Sequence, residues 1–340
     1  MHLARGVISR RATFSLLAAA AVARPARAAD TIRLGLLKTL SPAPFYLAQE
    51  NGHFTAAGVQ VEFKFFQAAQ PIAAAAVAGD IDVGVTALTG GFFSLAGKGA
   101  LKVIGGALHE QKGFDLTAIL VSRKAYEAGL TSVEQLGGHS FGITQYGSSF
   151  HYMIGRIAET SGFDLKSVTL RPLQDIGNML AAVRSGAVDA TMAIASQARP
   201  AQASGEARII GWVGDRVPYQ ITALFASKAA LERPDALHRF CRGYQKGVAE
   251  YRAAFLTFED GKPVRSAATE AAIATIRKYV FIADPDAADK ILAGIGWYDE
   301  GGALDTEDVA AQLAWFQAQG MVKEPIKPSD IIESVYLPTR

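Results

Sequence analysis

Among 340 residues there is one cysteine, Cys241. That excludes an intrachain disulfide and any cysteine-based zinc cluster. Histidine is also scarce: the six stand at positions 2, 53, 109, 139, 151 and 238, no two of them at helix-face spacing, so no metal site is expected. An excess of one charge is missing too. Thirty-four Lys and Arg against 32 Asp and Glu leave a formal net charge of +2, and no basic block forms a phosphate-binding stripe, so nucleic acid is not an expected partner. There is no Gly-x-Ser-x-Gly, no Walker loop and no zinc-ligand spacing. Neither a cofactor nor an enzymatic activity is expected. No run is long and uniformly apolar enough to span a bilayer.

What is present is core-forming material. Half the residues are hydrophobic and 19% are charged, which suits a folded chain rather than a disordered one. At this length two lobes are the natural expectation. The N-terminus reads as an export signal over residues 1–28. Arg5, Arg10 and Arg11 form a basic region, Ala12–Ala23 is a short apolar run broken only by Thr13 and Ser15, and Ala26-Arg27-Ala28 is a small-x-small cleavage site with Ala29 as the first mature residue. Ser9-Arg10-Arg11 suggests the twin-arginine route, but Phe14 lies one place late for it, so both export routes stay open. The expected compartment is the periplasm.

The mature chain alternates strand and helix. Ile32, Leu34 and Leu36 share one face of a strand over Thr31–Leu37, and a helix over Pro44–Asn51 follows, closed by Gly52. Val59, Val61, Phe63 and Phe65 alternate with Gln60, Glu62 and Lys64 in strict strand period. Pro71 opens an alanine-rich helix that ends at Gly79; Ile81–Val85 and Leu101–Ala107 are further strands. Later, Asp284-Pro285 marks a helix start, and Val309, Leu313 and Phe316 form one stripe of a helix over Glu307–Gln319. This order indicates an α/β architecture with two mostly parallel sheets flanked by helices. Gly79-Asp80-Ile81-Asp82 and Gly186-Ala187-Val188-Asp189 form an internal echo, their glycines 107 positions apart, which suits two similar lobes or two ordinary helix-to-strand turns. Leu116–Ser122 and Ile221–Ser227 are the places where the chain would cross between lobes.

Ligands of such sheets bind beyond the carboxyl ends of the strands. That rule nominates Lys38–Pro44, Thr86–Gly90, His109–Lys112 and Gln145–Ser149. The most telling of these is Phe141-Gly142-Ile143-Thr144-Gln145-Tyr146-Gly147-Ser148-Ser149, a strand, a polar turn and a helix start. Its serines either cap the helix or cradle a polar ligand group with the free backbone amides beside them.

The chain resembles the substrate-binding proteins of ABC importers in the nitrate, sulfonate and taurine group, which includes binders of the thiamine pyrimidine. The resemblance is carried by Ile32-Arg33-Leu34-Gly35, Pro44-Phe45-Tyr46-Leu47-Ala48, Gly52-His53-Phe54, Ala76-Val77-Ala78-Gly79-Asp80-Ile81-Asp82, Ser132-Val133-Glu134-Gln135-Leu136, Gly147-Ser148-Ser149 and Gly186-Ala187-Val188-Asp189-Ala190. It implies a two-lobed periplasmic binding protein fold of the type II kind with a two-strand hinge. Its lobes would comprise residues 29–120 with 222–340, and 121–221. It also implies a monomeric, non-enzymatic carrier that closes on a small organic ligand, sulfonate- or carboxylate-like, and delivers it to an ABC permease and its ATPase in the inner membrane. The alternatives are a neutral pyrimidine-like ligand, a pyrimidine-synthesis-like enzyme, and a sensor on the same fold. On this resemblance Ser41, Thr86, Thr89, Gly147, Ser148, Ser149 and Asp189 fall on the cleft. Ser148 and Ser149 would donate to the ligand head, Ser41 and Thr89 would offer hydroxyls from the other lobe, Tyr46, Tyr146 and His151 would supply flat walls, and His109 would be a further contact. Asp189 reads either as a partner for a ligand amine or as a structural acid, and Lys38 as the one positive charge in a candidate loop or as a solvated turn residue.

Overall fold

The computed structural model describes residue 2, residues 30–259 and residues 262–340. The expected export signal, apart from residue 2, and its junction at Ala29 lie outside the described residues. Strands β1 (Asp30–Leu37), β2 (Val59–Phe66), β3 (Val83–Thr86) and β4 (Leu101–Gly106) come first, and β5 (Leu108–Glu110) leads away from them. Strands β6 (Thr117–Ser122), β7 (Ser140–Ile143), β8 (Thr169–Pro172), β9 (Ala190–Ile194) and β10 (Ala207–Trp212) follow. The chain then returns through β11 (Tyr219–Gln220) to β12 (Ala223–Ser227). A small hairpin of β13 (Phe258–Glu259) and β14 (Lys262–Pro263) and the short β15 (Trp297–Tyr298) complete the set.

Two five-stranded sheets result, ordered β2-β1-β3-β12-β4 and β10-β6-β9-β7-β8, each flanked by helices. In each, four strands run one way and a single strand runs against its neighbours: β12 in the first sheet and β6 in the second. These two reversed strands are the apolar runs at which the sequence suggested the chain would cross. A third, three-stranded sheet, β11-β5-β15, ties the crossing segments together.

The core follows the sequence period. Ile32, Leu34 and Leu36 are fully buried, and so are Val59 and Val61. Further along β2 the alternation runs out of cover, and Phe65 is exposed at the end of this edge strand. The long helix Pro234–Phe255 lays Phe240, Tyr244, Val248 and Tyr251 onto the first lobe, each such burial being worth about 1.5–3 kcal/mol. The helix expected to open at Asp284-Pro285 starts later, at Ala287. There Asp284 accepts the Asp286 amide at 2.9 Å and pairs with Lys290, so a turn closes before the helix does.

The internal echo is structural. Helices Ala69–Ala78 and Ile176–Ser185 have equal length and end in left-handed glycines, Gly79 (φ +84°) and Gly186 (φ +74°), a backbone that glycine adopts without strain. Three residues on, Asp82 accepts the Arg33 amide at 2.8 Å, and Asp189 accepts the Ser140 amide at 2.8 Å. The carbonyls of the same two acids receive the Ser227 and Ser122 amides that end β12 and β6. The helix Thr306–Ala318, near the C-terminus, packs on both lobes. Phe316 packs on Phe93 of the first lobe and Tyr152 of the second, and Trp315 Nε1 donates to Glu159 at 3.1 Å.

Candidate functional site

Between the two sheets lies a cavity of about 500 Å³. It is walled by the segment Leu37–Ser41 after β1, by Phe66–Gln70, by Thr86–Thr89 after β3, by Thr144–Phe150 after β7, by Asp175–Gly177 and by Ala193–Gln197. Each of these six segments lies at or within a few residues of the carboxyl end of a strand, as the α/β rule requires. The floor is apolar, with Leu108, Leu116, Met153 and Ile221. Of the lining residues only Lys38 and Asp175 are of charged type, and none is arginine or histidine.

Five helix starts border the cavity: those of Gly90–Gly97, capped by Thr89, and of Ala195–Ala203, uncapped at Ile194, stand beside three others. The helix Ala69–Ala78 begins with no side-chain cap, because Ala68 has none to offer. The helix Ser149–Ser161 is capped by Ser148, whose Oγ accepts the His151 amide at 3.3 Å. The helix Ile176–Ser185 is capped by Asp175, whose carboxylate accepts the Asn178 amide and Nδ2, each at 2.8 Å. Unpaired amides and the positive end of the helix dipole attract negative groups. The cap carboxylate of Asp175 cancels that attraction at the Ile176 start; the other starts carry no carboxylate cap. Thr86 adds a buried hydroxyl without a hydrogen-bond partner.

The residues singled out from the sequence divide here. Ser41, Thr86, Thr89, Ser148 and Ser149 line the cavity. Ser148 and Thr89 spend their hydroxyls partly on capping, Thr89 Oγ1 accepting the Phe92 amide at 3.0 Å. Gly147 stands just behind the wall and turns its carbonyl to the Gly90 amide at 2.9 Å. Five expected contacts lie elsewhere. Tyr46 is buried in the first lobe, stacked on Tyr279 at 4.3 Å and donating its hydroxyl to the Thr39 carbonyl at 3.1 Å. Tyr146 points outward and is 59% exposed. His151 folds back behind its helix start: Nδ1 accepts the Gly147 amide at 3.1 Å, the ring meets Trp315 edge-on, and burial pushes its pKa down to about 4, so it is neutral. His109 sits in β5 against Asp299 at 3.0 Å. Asp189 lies away from the cavity as well, holding the Ser140 amide and hydroxyl. Gln145, within the nominated turn Gln145–Ser149, lines the cavity, and Gln67, Gln70, Gln197 and Asp175 line it without having been singled out. For Asp175 a signal existed: an acid three residues before Asn178 at a helix start. The glutamines meet only through tertiary structure.

Beneath the floor, where the chain crosses between sheets, Glu110 is fully buried. Neither of its carboxylate oxygens makes a full hydrogen bond, although Thr117 and the Gly214 amide face it, and burial pushes its pKa up to about 8. It pairs in register with Tyr219, whose hydroxyl is likewise buried and unpartnered.

The family model described as NMT1/THI5 like matches residues 40–254, and the chain belongs to that family. No curated protein sequence matches it. Among solved structures it is similar to the alkanesulfonate-binding protein SsuA from Xanthomonas axonopodis pv. citri bound to MOPS, with a TM-score of 0.70 and 18% identity over 90% of this chain and 98% of that one. It is also similar to the periplasmic nitrate-binding protein NrtA from Synechocystis PCC 6803, with a TM-score of 0.68 and 12% identity over 89% and 84% of the two chains. A third is DSZB in complex with biphenyl-2-sulfinic acid, with a TM-score of 0.56 and 14% identity over 91% and 97%. At these identities the likeness is one of fold, and the fold is the two-lobed periplasmic binding protein fold. Among the described residues no helix is long and apolar enough to cross a membrane.

Proposed function

We propose that this member of the NMT1/THI5-like family is the extracytoplasmic solute-binding component of an ABC importer, and that it captures a small organic anion, sulfonate- or carboxylate-like, in the cavity between its lobes. The observation that carries the anion is the bare helix start at Ala68–Gln70 on the same cavity wall as the Ser148–Ser149 turn, in a cavity whose only residue of basic type is Lys38. The amides there and the Ser149 hydroxyl hold the charged head, with Lys38 at the rim, while Leu40, Phe66, Leu108 and Ile194 enclose the body. Helix-start amides and a single lysine suit one negative charge; a dianion would call for the bidentate clamp that arginine supplies.

The lobes, residues 29–120 with 222–340 and residues 121–221, close about the two crossing segments that β5 and β11 pair together. Closure excludes water and strengthens each polar contact within. The ligand shifts the population by binding the closed form better than the open one. The closed monomer in the periplasm is then the form an inner-membrane permease and its ATPase accept. The reading is of a binder rather than an enzyme: Cys241 lies buried in the helix Pro234–Phe255, away from the cavity, and burial pushes its thiol up to about 12, so it is not a nucleophile at neutral pH.

A second reading has its own support. Four glutamines on the wall offer paired donors and acceptors, as the edge of a neutral pyrimidine-like ring would use. A thermal-shift panel of aryl and alkyl sulfonates, carboxylates, their neutral amides and pyrimidines separates the two. An anion at 100 times its Kd is expected to add about 2.7 kcal/mol of stability. Protection by the neutral amides and pyrimidines alone would move the assignment to the second reading, and no protection by any of these compounds would remove both.

A further inference from the structure

We propose that Gln70 is a latch that holds the two lobes together before any ligand arrives. This rests on the closing of the lobes set out above, and it concerns how access to that same cavity is controlled. Gln70 sits in the first turn of the helix Ala69–Ala78 of the first lobe. Its Oε1 accepts two hydrogen bonds: one from Thr89 Oγ1 of its own lobe at 3.1 Å, the other from Gln145 Nε2 of the second lobe at 3.0 Å. Beside it the Gly90 amide donates to the Gly147 carbonyl at 2.9 Å, a second bond from lobe to lobe. All of this stands at the cavity wall, since Gln70, Thr89 and Gln145 line it.

Gly91 shows that the arrangement is built around Gln70. A Cβ at position 91 would lie 2.0 Å from Gln70 Nε2 and 2.7 Å from its Cδ. The glycine therefore leaves room for the amide to lie flat over the start of the helix Gly90–Gly97. The internal repeat points the same way. The position 107 residues after Gln70 is Gly177, also in the first turn of its helix and also on the cavity wall, but without a side chain to reach across. The latch is thus a one-sided feature of the first lobe. Its consequence is a smaller binding-competent population: entry to the cavity requires the Gln70–Gln145 bond to break, and the fraction of protein open to ligand is reduced accordingly.

The test needs no ligand. Spin labels at Val77→Cys and Arg171→Cys, exposed positions on the two lobes, report the interlobe distance by double electron–electron resonance; Cys241 is buried and stays unlabelled. The unmodified latch is expected to give one narrow distance distribution. Gln70→Ala, Gln145→Ala and Gly91→Ala are each expected to add a longer-distance population, roughly tenfold above its wild-type level, as the loss of one hydrogen bond worth about 1.4 kcal/mol implies. Gly91→Ala keeps every polar group and places a good helix former in a helical turn, so opening in that variant is not a folding defect. A broad distribution in the wild type, or a narrow one unchanged in folded Gln70→Ala and Gln145→Ala, overturns the latch. If the compound panel finds no ligand and the variants still open, the latch stands without the proposed ligand; if an anion binds and the variants stay shut, the ligand stands without the latch.

Discussion

The helices Ala69–Ala78 and Ile176–Ser185 occupy equivalent places in the two lobes, yet one starts at Ala68 and the other at Asp175. The frame around them is the same: a left-handed glycine, an acid three residues on, and a bond from that acid to the amide of a neighbouring strand. What differs is the chemistry turned toward the cavity. The first lobe leaves its helix start open and adds Gln70; the second closes its helix start with a carboxylate and has Gly177. Lys38 in the first lobe stands opposite in type to Gln145, its equivalent 107 positions on. A duplicated scaffold keeps what folding needs and diverges where the ligand would sit. On the proposed reading the uncapped start at Ala68 and Lys38 give the first lobe the main part in charge selection, beside the Ser148 and Ile194 starts of the second.

The two frame acids give the largest test of that comparison. Asp82 has only 6% of its side chain exposed and is gripped by Arg33 and Arg233, whereas Asp189 is 37% exposed and holds Ser140 and, at 3.6 Å, His139. Asp82→Ala leaves two guanidinium groups without their acid and is expected to cost about 3–5 kcal/mol in urea unfolding; Asp189→Ala is expected to cost about 1–2 kcal/mol. Equal losses would mean that the lobes are equally braced. For both acids burial favours the neutral form, but the bonds from Arg33 and Arg233 and from Ser140 and His139 outweigh it and hold the pKa below the usual range. Their stabilisation is therefore present above the ordinary aspartate pKa and is lost as pH falls through the depressed values.

Glu110, at the crossing between the lobes, titrates in the opposite direction. Its pKa is raised to about 8 in the folded protein, so its neutral form is favoured there. The unfolded chain ionises near pH 4.3. Its contribution is complete below that value and is lost as pH rises toward 8. Glu110→Gln is expected to flatten the stability profile between pH 5 and pH 8 and to exceed wild type at pH 8 by about 1–3 kcal/mol. An unchanged slope would show that the carboxyl is hydrated.

The smallest expected effect on stability is the most informative about function. Ala68→Asp copies the second lobe's cap into the first and is expected to raise stability by about 1 kcal/mol. By cancelling the open helix start it should also weaken anion binding at least tenfold. Asp175→Ala should lower stability by about 1 kcal/mol, while anion affinity holds or rises. If the two substitutions changed affinity alike, the assignment of charge selection to the first lobe would fail.

Much of the frame was legible in the sequence because it rests on short-range rules. The alternation from Val59 to Phe65, the glycines after each helix and the paired Gly-x-x-Asp turns all report local geometry. The turn Gly147-Ser148-Ser149 was legible as a helix start at a strand end, and Ser149 does line the cavity. Side-chain direction was not. Whether Tyr46 turns to the cavity or to Tyr279, and whether His151 faces a ligand or the Gly147 amide, depends on partners more than 200 residues away in one case and on the exact start of a helix in the other. Gln70 was invisible for the same reason: a glutamine in a first helical turn is unremarkable until Gln145 and Gly91 are placed beside it.

The most direct measurement is titration calorimetry of the protein with an aryl sulfonate or carboxylate, and with the neutral amide of the same body, in wild type and in Ala68→Asp. The expected result is binding of the anion at least tenfold tighter than of its amide in wild type, with that preference lost in Ala68→Asp. An amide bound as tightly as the anion, or an anion preference that survives the substitution, would contradict the placement of the ligand head at the open helix start.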